Sequence, residues 1–130
     1  MKVKSAIISN GLRTISELAE KPMPVKLAAK ILRLAENLQK ENEIIEKQRR
    51  LIIEKYADKD EQGELIINSE GNVSFKEQKT AEEAQNELNE LANLEVEIID
   101  RGITEDELAQ ANIQLTLSQL MVLKNFINEK

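Results

Sequence analysis

The segment Asp58 to Ser69, DKDEQGELIINS, comes closest in this chain to metal-ligand chemistry. Asp58, Asp60 and Gly63 fall at positions 1, 3 and 6 of a calcium loop. Position 5 is Gln62, and position 12, where a bidentate Glu belongs, is Ser69. The strongest ligand is therefore missing, and the residues that follow alternate like a strand rather than an exiting helix. The segment reads as a solvated turn feeding a hairpin.

Carboxylates also cluster at Glu82/Glu83, at Glu95/Glu97/Asp100 and at Glu105/Asp106/Glu107. Paired carboxylates do acid–base work only when one is desolvated and its pKa rises. Here the neighbours are polar, and the spacing fits the first turns of helices, where negative charge is favoured anyway. The chain contains no His and no Cys, which removes imidazole bases, thiolate nucleophiles, disulfides and ordinary zinc sites together. No enzyme activity, metal or cofactor is expected.

Charge is divided along the chain. Residues 1–57 carry a net +5 and residues 58–130 a net −11, within a total of −6. On the central helix Lys26, Lys30, Arg33, Lys40, Lys47 and Lys55 share one arc, a track that could follow phosphates. Glu36–Lys40, Glu43–Lys47 and Glu46–Arg50 stand at i,i+4 in the favourable order, so several of these cations have a neighbour to pair with. No aromatic residue is interleaved to stack bases, and direct nucleic-acid binding is not expected.

The elements that must carry these residues follow from periodicity. The aromatic share is 2%, so the core must be aliphatic. A first helix is expected from about Ser5 to Glu20, with Ser5 as cap; Gly11 inside it needs a packing reason, or else the helix begins later, near Asn10. Lys21-Pro-Met-Pro24 stops it. A second helix then runs from about 24 to 57, some 33 residues or about 50 Å, too long for a small domain to cover throughout. ELIIN and NVSFK read as a hairpin over about 64–77, with Asn68 to Asn72 as the loop. LEVEII, 94–99, reads as a strand with Leu94, Val96 and Ile98 on one face, added to that hairpin.

Three capping boxes, Thr80/Glu83, Thr104/Glu107 and Thr116/Gln119, mark helix starts. The last opens a helix expected to bury Leu117, Leu120, Met121 and Leu123, with Phe126 and Ile127 beyond. The fold class is a single helix-rich α+β domain over 1–130, with a long central helix, shorter helices on its first half and a small antiparallel sheet. No continuous apolar stretch follows the basic start, so no signal peptide is expected, and no apolar run reaches the ~20 residues of a membrane span.

One pattern on the long helix is left over. Its main stripe steps 28, 31, 35, 38, 42, 45, 49, 52, 56, with Asn42 and Arg49 as polar residues on the seam. Ile44 and Leu51 stand about 100° off that stripe and seven residues apart. Ile44, Ile45, Leu51, Ile52 and Tyr56 are therefore the expected contact for self-association or for another protein. Glu82, Glu83, Glu87 and Glu90 form an expected acidic surface.

In order along the chain, KPMPVKLAAKI, IEKYADKDEQGELIINSEGNVSFK, NELNELANLEVEI and LTLSQLMVLKNFI resemble segments of a family of small proteins from phages and prophages of Gram-positive bacteria. The resemblance spans about Lys21 to Ile127. It implies a phage or prophage origin and a place in the bacterial cytoplasm, and it carries no catalytic or ligand residue. The expected function is a non-catalytic phage interaction protein that self-associates and binds a host or phage protein. One alternative is an inhibitor of a host nuclease or polymerase whose acidic surface mimics nucleic-acid charge. Another is a nucleic-acid-binding accessory protein using the basic stripe.

Overall fold

The computed structural model describes residues 1–67, 71, 74, 75 and 78–127. The elements are β1 (Lys2–Lys4), α1 (Ser5–Leu18), α2 (Val25–Tyr56), α3 (Gln78–Asn93), β2 (Glu95–Glu97), α4 (Glu105–Gln110), α5 (Leu117–Leu123) and a closing 3-10 turn, Lys124–Phe126. This is the helix-rich α+β class expected: a long helix, shorter helices packed on it and a two-stranded antiparallel sheet. No helix among the described residues is long and apolar enough to cross a membrane.

The chain divides into two compact units, residues 1–43 with 94–130, and residues 44–93. The division does not follow the charge boundary near residue 57.

The first unit holds nearly all of the core. On α2, Leu27, Ile31, Leu34 and Leu38 are buried at the 4/3/4 spacing of one helix face. They join Val3, Ile8, Ile15, Leu18, Ile98, Ile103, Leu108, Leu123 and Phe126. Each buried Leu or Ile contributes about 1.5–3 kcal/mol relative to exposure. Pro24 sits one residue before α2, where its carbonyl accepts from the Ala28 N–H at 3.0 Å.

Gly11 is explained by Phe126. A Cβ on Gly11 would lie 2.6 Å from Cε2 and 2.7 Å from Cζ of that ring. The missing side chain lets the fully buried ring sit directly on α1, with Leu38 beside it.

Four expectations are corrected in this unit. The partner of the 94–99 strand is not the middle hairpin but the N-terminal Lys2–Lys4, in the register Lys2↔Glu97, Val3↔Val96, Lys4↔Glu95. Val3 turns inward while opposite charges face each other across the outer face. Leu94 is 53% exposed because the strand begins only after it; its carbonyl accepts from the Ser5 N–H at 2.9 Å. Ser5 does not cap α1: it is buried inside the first turn, and Lys4 takes the cap position with no side-chain bond. On α5 the inward residue is Leu123, whereas Leu117 and Met121 are 75% and 65% exposed.

α3 shares the second unit with the distal part of α2, and its Glu87 meets Lys55 at 3.3 Å, so not all the short helices belong with the first half. α3 starts at Gln78, which places Thr80 inside the helix. Thr80 therefore has no end to cap, unlike Thr104 and Thr116, whose boxes with Glu107 and Gln119 both close. Where the hairpin was expected, the Ile66 N–H donates to Asp58 O, Ser74 N–H to Ile66 O and Asp58 N–H to Ser74 O, at 2.8–3.0 Å. Most of the loop from Asn68 to Asn72, and part of the strand after it, lie outside the described residues.

Candidate interaction surface

The distal part of α2 is helical for local reasons. Between Glu41 and Tyr56 there is no Pro or Gly, and apart from Ile44 and Leu51 the exposed positions are Glu, Lys, Gln and Arg, which lose little rotamer freedom in a helix. Tertiary cover does not extend as far. No residue of α2 beyond Leu38 is fully buried. Among the described apolar residues of the second unit, only Ala84 is.

Ile44 is 53% and Leu51 59% exposed, in line on the outward face. Ile45, Ile52 and Tyr56 are half-buried, as is the seam residue Asn42, while Arg49 is exposed. Five apolar positions over three turns are thus incompletely covered. Such a strip is costly to leave in water unless something else covers it.

The charges around it differ from expectation. None of Glu36–Lys40, Glu43–Lys47 or Glu46–Arg50 comes within ion-pair distance; Glu46 instead meets Arg49 at 4.0 Å. Long exposed side chains lose more entropy in such pairs than the weak attraction returns. Lys40, Lys47 and Arg50 are exposed on the helix surface.

Tyr56 belongs to a local cluster. The Lys55 ammonium lies 4.9 Å above the Tyr56 ring centroid and 3.3 Å from Glu87 Oε1. The Tyr56 hydroxyl first, and Lys55 after it, hold the Glu87 carboxyl below the usual carboxylate range. Tyr56 and then Glu87 raise the Lys55 ammonium above its ordinary value. Glu87 is therefore engaged with Lys55 inside the unit rather than offered as free acidic surface. Glu82, Glu83 and Glu90 are exposed.

In the first unit Lys26, Lys30, Arg33 and Lys40 are all exposed on α2. Lys30 pairs with Glu107 at 2.7 Å. Lys30 and Arg33 line a cleft of about 830 Å³ together with Arg101, Glu36, Glu97 and Asp100. Carboxylates share the cleft with the cations, which weakens any track for phosphate there. The cleft is shaped by a loop that sequence reasoning missed. Asn37 Nδ2 donates to Asp100 Oδ2 at 2.9 Å and to Ile99 O at 3.3 Å, and Asp100 Oδ1 accepts from the Gly102 N–H at 2.7 Å. The signal was present in Asp100-x-Gly102, an Asx turn closed by a glycine at φ +70°.

The calcium-like segment also has its oxygens engaged. Asp60 Oδ1 accepts from the N–H groups of Gln62 and Glu64 at 2.9 and 3.0 Å, and Asp58 Oδ2 from the Ser74 hydroxyl at 3.2 Å. Among the described residues, no group of three or more carboxylates is placed to hold a metal ion.

No protein-family profile, curated protein or solved structure matches the chain. The surface must therefore be interpreted from its own chemistry. It sets the exposed Ile44 and Leu51 beside the exposed Lys40 and Lys47.

Proposed function

We propose that this chain is a non-catalytic interaction protein of phage or prophage origin, acting in the bacterial cytoplasm and self-associating through α2. A further host or phage protein is its target. The observation that carries this reading is the alignment of Ile44 and Leu51, each more than half exposed, on a helix whose burial ends at Leu38. The half-buried Ile45 and Ile52 beside them extend the same apolar strip.

Light scattering over a range of concentrations tests it. The expected result is a mass that rises with concentration for the natural chain and stays monomeric for Ile44→Glu/Leu51→Glu. A monomer at every concentration, with partner capture from host lysate unchanged in the double variant, sinks the proposal.

A second reading is supported by the exposed Glu82, Glu83 and Glu90 on α3. They could present nucleic-acid-like charge to a basic host nuclease or polymerase. Capture of such a protein that weakens with salt, and is lost on reversing these three charges, distinguishes it from the first.

A further inference from the structure

Beyond the α2 contact, and standing without it, we infer that the free edge of β2 captures an extended segment of another protein with the pattern basic–apolar–basic. The segment adds to the sheet antiparallel to β2. Its cations lie opposite Glu95 and Glu97, and its apolar residue opposite Val96. Every residue of the site belongs to the first unit.

The phase of the β1–β2 ladder leaves that edge open. The Ile98 N–H donates to Met1 O at 2.7 Å and the Ser5 N–H to Leu94 O at 2.9 Å, two residues to either side of the Val3↔Val96 pair. Bonded and non-bonded pairs alternate in an antiparallel ladder, so Glu95 and Glu97 fall on the non-bonded positions. Their N–H and C=O groups point away from β1. Among the described residues, no other backbone group bonds to them there. The edge of β1 is less able to take a strand. α1 begins at Ser5, and the Lys4 carbonyl accepts the first bond of that helix.

The side chains determine what such a strand carries, with β1 as the template. Lys2 stands opposite Glu97 and Lys4 opposite Glu95, with Val3 beside Val96. Glu95 is exposed, and Glu97 keeps 59% of its side chain in solvent although the Met1 amine lies 3.4 Å from Oε1. Both carboxylates can therefore meet a second cation on the open side. The inner face is covered unevenly. Val3 on β1 is 6% exposed, whereas on β2 Val96 is half-buried and Leu94 is 53% exposed. An apolar residue level with Val96 extends the cover across them. The cations are confined to two positions, because Lys30, Arg33 and Arg101 line the cleft at the Glu97–Gly102 end of the strand. Main-chain bonds at the edge supply affinity, and the alternate side chains supply specificity.

The test is an NMR titration of the nitrogen-15-labelled full chain with a capped peptide, lysine–valine–lysine flanked by threonines. The amide signals of Glu95, Val96 and Glu97 are expected to shift and saturate. Glutamate in place of both peptide lysines should weaken binding about five-fold, and Glu95→Gln in the protein about two-fold. Glu95→Lys should take the glutamate peptide better than the lysine one; if that variant loses its fold, Glu95→Gln still carries the comparison. N-methylation of the peptide separates edge pairing from charge attraction. In the antiparallel arrangement both lysine N–H groups face β2 and the valine N–H faces away. Methyl groups on the lysine nitrogens should cost at least about ten-fold, and one on the valine nitrogen nothing measurable. Loss from the valine methyl instead would establish parallel addition and overturn the arrangement. Binding indifferent to every methyl group, or shifts confined to α2 or α3, would overturn the site itself. Shifts of Glu95 and Glu97 that grow with protein concentration in the absence of peptide would put a second copy at the edge, and overturn the assignment to another protein.

Discussion

A side chain on Gly11 would occupy the space that the ring edge of Phe126 already fills, 2.6 Å from Cε2. Alanine at this position gains up to about 1 kcal/mol of helix propensity. Overpacking against a ring with no exposed surface costs about 1–3 kcal/mol. The second term wins, so Gly11→Ala should lower stability by about 1–2 kcal/mol in urea unfolding. Adding Phe126→Leu to Gly11→Ala should cost less than the two single changes together, because the smaller side chain removes the clash. Strict additivity would show that the two positions do not press on each other.

Gly102 answers to a different constraint. Its φ is +70°, and a Cβ there would strike the carbonyl oxygen of Phe126, which cannot rotate away. Gly63, at φ +81°, opens on empty space. Gly63→Ala should therefore cost only the left-handed conformational term, about 1 kcal/mol. Gly102→Ala should cost at least about twice that, and loosen the closing turn from Lys124 to Phe126. Equal melting temperatures for the two variants would contradict this ordering.

Three threonines carry the same capping signature, and only two are caps. Thr104→Ala and Thr116→Ala should each destabilise by about 1 kcal/mol, because each leaves helix N–H groups without an acceptor. Thr80→Ala, inside α3, should be neutral or slightly stabilising, since alanine is the better interior residue. Thermal unfolding of the three variants side by side checks it.

Glu107 makes stability depend on pH. The Lys30 ammonium first, and the Thr104 hydroxyl and N–H after it, hold its carboxyl below the usual carboxylate range in the folded chain. A depressed carboxylate contributes stability that is present above its unfolded pKa and lost as pH falls through the folded one. Acid unfolding of the natural chain should therefore be steeper in that window than that of Glu107→Gln. Lys30→Met should flatten the same part of the curve. Profiles of equal slope would show that the pair does nothing for folding.

Much of the fold could be inferred from local chemistry. Pro24 and the unbroken run to Tyr56 set the ends of α2 within a residue or two, because a proline and a loss of helix formers act locally. The capping boxes at Thr104 and Thr116 work for the same reason. Thr80 misled because the pattern names a residue type and a spacing, whereas a cap also needs its own backbone to be non-helical. The pairing of Lys2–Lys4 with Glu95–Glu97 was hidden: three residues give no alternation to read, and partner choice across 90 positions is tertiary.

The surface was legible to the same degree. Periodicity alone singles out Ile44 and Leu51 as residues the main stripe does not absorb. It cannot say that Tyr56 and Glu87 are tied together through Lys55, because that contact joins two helices far apart in sequence. On α5 the 3.6-residue period identified an amphipathic helix but not its inner face. Leu117, Leu120, Met121 and Leu123 surround a helix of seven residues, and only its packing on α1 decides which of them is covered.

The small sheet bears on how copies of this protein can stick together. Two strands leave two bare edges, the usual starting point for fibrous accretion. On the outer face β1 shows Lys2 and Lys4, and β2 shows Glu95 and Glu97. Laying β1 on another β1, or β2 on another β2, sets like charge on like along the whole seam. Symmetric edge pairing is thus electrostatically opposed, whereas β1 laid against β2 of another copy would set lysine beside glutamate.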